Sequence, residues 1–286
     1  MRIHAIQTGW AQIRRNQIIA RKEDLFRLVR TLSDQEWAAP VPIYAWLLEH
    51  PEGLILVDTG QTARAADPGY HPRWHPYFHR SVRFHVRRDE EVDVQLESIG
   101  INPVDVRWVV LTHLHTDHAG GIRHFPKADV IVSSAEWRAA QGQWGKLAGY
   151  IPQHWPREII PRHVLFRDGP WGAFAHSMQL TSAGDVHVVP TPGHTAGQLA
   201  VSVSLPDVEI ILAGDVSYTQ DALLHDRLDG VSLNAQRAHD TLQTVRRHVL
   251  ERPTVFLPAH DPDAATRLAR RMVVPSPTPD PVRFSG

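Results

Sequence analysis

The stretch Thr112-His113-Leu114-His115-Thr116-Asp117-His118 decides how this chain is read. It sets three imidazoles and a carboxylate within six residues, His113 to His118. Such a set must repel, stay wet or hold metal, because an apolar core does not tolerate it unpaired. In the pattern H-x-H-x-D-H, His113 and His115 stand two apart, and Asp117 and His118 turn toward a neighbouring point. One run can therefore feed two adjacent ions. Imidazole with carboxylate suits zinc, with iron, cobalt and manganese as competitors.

The run follows the short apolar segment Val106 to Leu111, which reads as a buried strand. Ligands commonly sit at the C-terminal ends of strands in α/β sheets. Three further runs share that character. Thr191-Pro192-Gly193-His194 follows Val186 to Val189, Gly214-Asp215 follows Val208 to Leu212, and Pro258-Ala259-His260 follows Thr254 to Leu257. Together they supply five histidines and two aspartates. These partition into His113, His115 and His194 for one ion and Asp117, His118 and His260 for the other, with Asp215 bridging. Asp58, which ends the strand Leu54 to Val57, reads as a partner orienting a metal-bound histidine.

Composition sets outer bounds. The 286 residues allow one large α/β domain or two small ones. We read 1–274 as one hydrolase domain and 275–286, with four prolines, as a C-terminal tail. Lys and Arg number 30 against 31 Asp and Glu, so no basic excess exists to neutralise phosphates and nucleic acid is not an expected partner. Cysteine is absent, which removes disulfides, thiolate nucleophiles and thiolate ligands. Met1-Arg2-Ile3-His4 opens no apolar signal segment, and no run approaches the roughly 20 apolar residues that span a bilayer. A cytoplasmic protein with no membrane partner is the expectation.

Along the rest of the chain, residues 3–9 read as a first strand, and 41–48 with 54–57 as a hairpin around His50-Pro51-Glu52-Gly53. Helical patterns cover Glu23 to Leu32, 89–100, Ser134 to Gln141, 232–250 and Ala264 to Met272. Residues 67–85 and 142–180 carry no clear period and read as irregular segments. His71, His75, His79 and His85 read as a surface loop or subunit contact, which makes a homodimer conceivable, rather than as a third metal site. Trp144, Trp155 and Trp171 read as packing.

In this order, Asp58-Thr59-Gly60, the H-x-H-x-D-H run, Gly193-His194, Gly214-Asp215 and His260 resemble the metallo-β-lactamase superfamily over nearly the whole chain. The resemblance implies an αββα sandwich with the metals at one edge between two mixed sheets. Within that superfamily, Asp215-Val216-Ser217-Tyr218 and His118-Ala119-Gly120-Gly121 look like the N-acyl homoserine lactonases. That implies a quorum-quenching hydrolase with two divalent ions, most simply Zn2+, whose bridging hydroxide opens a small-molecule lactone. Tyr218 would then hydrogen-bond the carbonyl, and Asp117 would relay the proton. Thr116 departs from the bulky aromatic that many of these lactonases carry there, which implies a different acyl-chain fit. The alternatives are another ester, lactone or thioester, or a phosphodiester, which would need cations such as Arg123, Arg157 or Arg162 near the metals. A metal-binding scaffold without activity would not need an open two-metal centre.

Overall fold

The computed structural model describes residues 1–20 and 26–274; the proline-rich tail expected at 275–286 lies outside the described residues. Twelve strands are described: β1 Arg2–Ile13, β2 Val41–His50, β3 Gly53–Val57, β4 Val82–His85, β5 Val106–Val110, β6 Asp129–Ser133, β7 Arg162–Val164, β8 Met178–Gln179, β9 Val186–Pro190, β10 Leu199–Ser204, β11 Glu209–Gly214 and β12 Thr254–Pro258. They form a seven-stranded sheet, β4-β1-β2-β3-β5-β6-β7, and a five-stranded sheet, β12-β11-β10-β9-β8. Both are mixed: β3/β5, β5/β6, β6/β7 and β11/β12 pair parallel, and the other ladders are antiparallel.

Alternation along the strands explains the layers. Tyr44, Trp46, Leu48, Ile55, Val57 and Val110 point one way and meet Val188, Val201, Ile210 and Leu257 of the second sheet in one core cluster. The intervening Ala45, Leu47, Leu56 and Val109 point outward onto Val92 and Leu96 of the helix Val92–Ser98. On the far side, Ala200, Ile211 and Phe256 receive the helix Ala235–Glu251. That helix buries Ala238, Leu242, Val245 and Val249 at helical spacing, and the Asn234 side chain caps it by accepting from Arg237 N at 3.0 Å. Each fully buried Leu or Val on this face contributes roughly 1.5–3 kcal/mol. The result is the expected αββα sandwich.

β1 runs four residues past the expected strand at 3–9. Its register against β2 shifts between Gln7 and Trp10, where Gly9 has φ 106°. A side chain at Gly9 would meet His85 O at 2.6 Å, so glycine permits a bulge there and the strand continues to pair with β4. Residues 67–85 are not structureless: they contain the helix Pro76–Arg80 and β4. Likewise 142–180 contains the helix Gly142–Leu147, β7 and β8. These elements are too short to print a period in the sequence. The helix expected at Glu23 to Leu32 is described at Arg27–Ser33, its first part falling outside the described residues. Among the described residues, no helix is long and apolar enough to cross a membrane.

Candidate metal centre

β3 and β5 are parallel, as are β11 and β12, and β9 runs in the same sense as β11 across β10. Their C-terminal ends therefore deliver Asp58, the 113–118 run, His194, Asp215 and His260 to one edge of the sandwich. Backbone hydrogen bonds lock the two sheets there: Leu199 N donates to Thr112 O at 2.9 Å and Tyr44 N to Ala259 O at 3.0 Å. Gly193 has φ 146°, and a Cβ on it would lie 2.3 Å from the Ala238 backbone, so only glycine lets the His194 turn sit against the helix.

The two donor groups expected from the sequence assemble. His113 Nε2 and His194 Nε2 lie 3.1 and 3.2 Å from His115 Nδ1. His260 Nε2 lies 3.5 Å from Asp117 Oδ2, in the group that also contains His118. Asp215 spans the two groups: Oδ1 is 3.2 Å from His118 Nε2 and 3.4 Å from His260 Nε2, while Oδ2 is 3.6 Å from His194 Nε2. Ligands at 2.0–2.1 Å on a tetrahedral ion stand about 3.3 Å from one another. The observed separations fit that spacing, and the donors could hold two ions.

Four of the five far ring nitrogens are engaged elsewhere, which fixes which nitrogen faces inward. His118 Nδ1 donates to Asp58 Oδ2 at 2.8 Å, His260 Nδ1 to Pro42 O at 2.8 Å, and His115 Nε2 to Ala148 O at 3.2 Å. His113 Nδ1 is 3.2 Å from Thr112 Oγ1, and His194 Nδ1 faces the Asp229 carboxylate at 3.7 Å. By contrast, His118 Nε2 and Asp215 Oδ1 are buried with no hydrogen-bond partner. Orphaned donors aimed at one point are what a cation would satisfy.

Electrostatics agree. Burial, with the neighbouring His118 and His115, holds His113 well below the usual imidazole range, and burial takes His115 down to about 4. Both are thus kept neutral, the form that binds metal. Burial opposes protonation of His118 and His260 too, but the surrounding carboxylates, Asp215 foremost, push both up. Burial raises Asp215, yet His260 and His118 pull it well below the carboxylate range. The cluster is a carboxylate–imidazole set that attracts cations.

A cavity of about 180 Å³ opens on this centre, lined by His115, Thr116, Asp117, His194, Asp215 and His260 and, further out, by Leu28, Leu32, Leu147 and Leu233. Tyr218 is buried in its wall, its ring stacked on His260 with centroids 5.3 Å apart. Burial and Asp215 push its phenol well above the ordinary value, so it stays a neutral donor. Beside the small Thr116 stands an aromatic from another part of the chain: the Tyr70 hydroxyl is 3.4 Å from Thr116 Oγ1, and the Tyr70 ring stacks on His154.

Some expectations need correction. His75 is no surface residue: it is buried, lines the cavity and donates to Leu147 O at 3.0 Å. His71 stacks on Phe78, whereas His79 and His85 are exposed. Trp155 packs on Trp137 and Trp171 on His187, but Trp144 is 83 % exposed and packs nothing away. Arg123 is drawn to Glu91 and Thr62, and Arg162 to Asp129. Sequence reasoning missed Gln17 and Tyr77 in the cavity wall, Asp229 behind His194, and Glu136, whose carboxylate ties the metal loops together. An Asx-type Asp229 before Ser232 and a glutamate in the first turn after Ser133 were the available signals.

A family model of the metallo-β-lactamase superfamily matches residues 38–276. An N-acyl homoserine lactonase AttM of Azorhizobium caulinodans is 30% identical over 232 residues, covering 80% of this chain and 84% of that one. A probable metallo-hydrolase of Mycobacterium tuberculosis is 32% identical over 246 residues, 76% of this chain and 74% of that one. Among solved structures, an N-acyl homoserine lactone hydrolase with N-hexanoyl-L-homoserine at its catalytic metal centre superposes with a TM-score of 0.72 at 19% identity, over 92% of this chain and 94% of that one. The fold, the ordered donor runs and the family match agree: the chain belongs to the metallo-β-lactamase superfamily.

Proposed function

We propose that this chain hydrolyses the lactone ring of N-acyl homoserine lactones at a dinuclear centre holding two Zn2+ ions. His113, His115 and His194 would hold one ion and Asp117, His118 and His260 the other, with Asp215 between the two groups. When bound, such ions supply Lewis acidity and bring the pKa of water to about 7. The observation that carries the substrate class is the wall of the cavity. A donor cluster at its base meets the neutral phenol of Tyr218, and the outer wall is apolar, suited to an acyl arm. Among the described lining residues none is Lys or Arg, which weighs against a phosphodiester. The lactonase names of the relatives point the same way.

In that chemistry Tyr218 donates a hydrogen bond to the oxygen on which negative charge develops. Asp117 is only 17% exposed at the cavity base and turns Oδ2 to His260. Its Oδ1 would take the proton released by attack and hand it to the leaving ring oxygen. Asp58 keeps His118 in the tautomer that points inward, and the Asp229 carboxylate lies behind His194 at 3.7 Å.

The test is acid release from N-hexanoyl- and N-decanoyl-homoserine lactone by the zinc-loaded protein, with Asp117→Asn alongside. Turnover that falls at least about a hundred-fold in the variant supports the assignment. A protein holding two zinc ions that opens neither lactone overturns the substrate.

A further inference from the structure

Tyr77 and Tyr218 come from distant parts of the chain and meet on one atom. Gln17 Nε2 lies 2.8 Å from Tyr77 Oη and 2.8 Å from Tyr218 Oη. Gln17 is 2 % exposed, and all three residues line the cavity over the metal donors. The Gln17 amide has two hydrogens, and each phenol oxygen accepts one. The reverse amide orientation would bury both N–H groups without an acceptor, whereas the present one leaves only the carbonyl Oε1 unpartnered. Unpaired buried N–H groups are the rarer and costlier defect. With their oxygens held by Gln17, both phenols keep their own hydrogens to give. Among the described residues, neither hydroxyl donates to a protein acceptor.

We infer that Tyr77 is a second catalytic phenol: with Tyr218 it forms a two-donor oxyanion site, held by Gln17, for the lactone hydrolysis proposed above. Two hydroxyls that converge on one nitrogen are close enough to converge on one oxygen from the cavity side. Tyr77 is firmly placed for this. Its carbonyl accepts from Ser81 N at 2.9 Å, and the neighbouring His75 is anchored on Leu147 O. The pairing rests on the lactonase reading for its substrate but not for its geometry.

Four zinc-loaded proteins test it: wild type, Tyr77→Phe, Tyr218→Phe and the double variant. Two quantities are measured, kcat and KM on N-hexanoyl-homoserine lactone and the affinity for hexylphosphonate, a stable tetrahedral anion. Tyr77→Phe should lower kcat about ten-fold, less than the hundred-fold or more typical of a lone oxyanion donor because Tyr218 remains. KM and zinc content should hold, and phosphonate affinity should fall in step with kcat across the series. A Tyr77→Phe protein within two-fold of wild type in phosphonate affinity overturns the pair, whatever its kcat. A wild type that binds phosphonate through Tyr77 yet opens no lactone upholds the pair and overturns the substrate.

Discussion

Asp58 holds His118 from behind. Its Oδ2 accepts from His118 Nδ1 and from Thr112 Oγ1, both at 2.8 Å, and its Oδ1 accepts from Thr112 N at 2.8 Å. The aspartate is buried and sits at φ 61°, a left-handed conformation that costs a non-glycine residue of order 1–3 kcal/mol. That cost is borne where one carboxylate fixes both the start of the ligand run and the tautomer of its last histidine.

Asp58→Asn keeps the shape and removes one acceptor. His118 Nδ1–H, Thr112 Oγ1–H and Thr112 N–H then compete for a single oxygen. Affinity for the ion at Asp117, His118 and His260 should fall about 10–100-fold. Competition with a coloured chelator measures it. Affinity equal to wild type for both ions would show that His118 is oriented by packing alone.

Glu136 performs a similar task for the other donor group. Its Oε1 accepts from Leu114 N at 3.0 Å and from the Tyr150 hydroxyl at 2.8 Å, and its Oε2 accepts from Gly197 N at 3.0 Å. The side chain thereby joins the His113–His115 loop to the His194 turn, and the Tyr150 ring lies against His115. Glu136→Ala leaves three buried donors unpaired, so unfolding in urea should show a loss on the order of 3 kcal/mol or more. Tyr150→Phe removes one bond and should cost about 1 kcal/mol. Equal losses for the two would mean that the carboxylate is not the hub.

The candidate metal donors are legible in the sequence because each lies within a few residues of an apolar strand, and strand ends are where a sheet presents ligands. His113, His115 and His118 even share one run. Gln17, Tyr77 and His75 are not legible for the opposite reason. Gln17 sits in a four-residue helix, Arg15–Ile18, and Tyr77 in a five-residue one. Neither helix is long enough to show a 3.6-residue period. Their meeting on the cavity wall depends on β1 pairing with β4, a contact across some 70 residues that local patterning does not encode. Trp144 fails differently: a tryptophan is usually packed, and here the helix Gly142–Leu147 turns it to solvent.

Away from the centre, Glu209 on β11 gives the fold an acid limit. Burial by itself would raise its pKa, but His248 at 2.9 Å, the Ser202 hydroxyl and the Trp171 indole hold it down to about 2. That lies below the unfolded glutamate value of about 4.3. Ionised Glu209 therefore contributes stability in full above about pH 4.3, and the contribution is lost as pH falls toward about 2. The wild type should exceed Glu209→Gln by roughly 3 kcal/mol near neutrality, and the gap should narrow by about pH 3. Urea unfolding of both proteins at the two pH values measures it, and a gap that does not change with pH removes the carboxylate from the account.

Asp215 joins the two donor groups, so the two ions they would hold should be interdependent. Its Oδ1 faces His118 and His260 and its Oδ2 faces His194, so one side chain touches both donor groups. His194→Ala should leave about one zinc per chain, as should His260→Ala, because each removes one of three donors from one group and none from the other. Asp215→Ala should leave close to none, since both donor groups lose a carboxylate at once. Removing metal from the wild type with a chelator should also lower its melting temperature, because an ion at a hundred times its Kd stabilises by about 2.7 kcal/mol. Elemental analysis after dialysis gives the stoichiometries. An Asp215→Ala protein that retains two zinc ions would break the bridge and with it the partition of the histidines into two coupled sets.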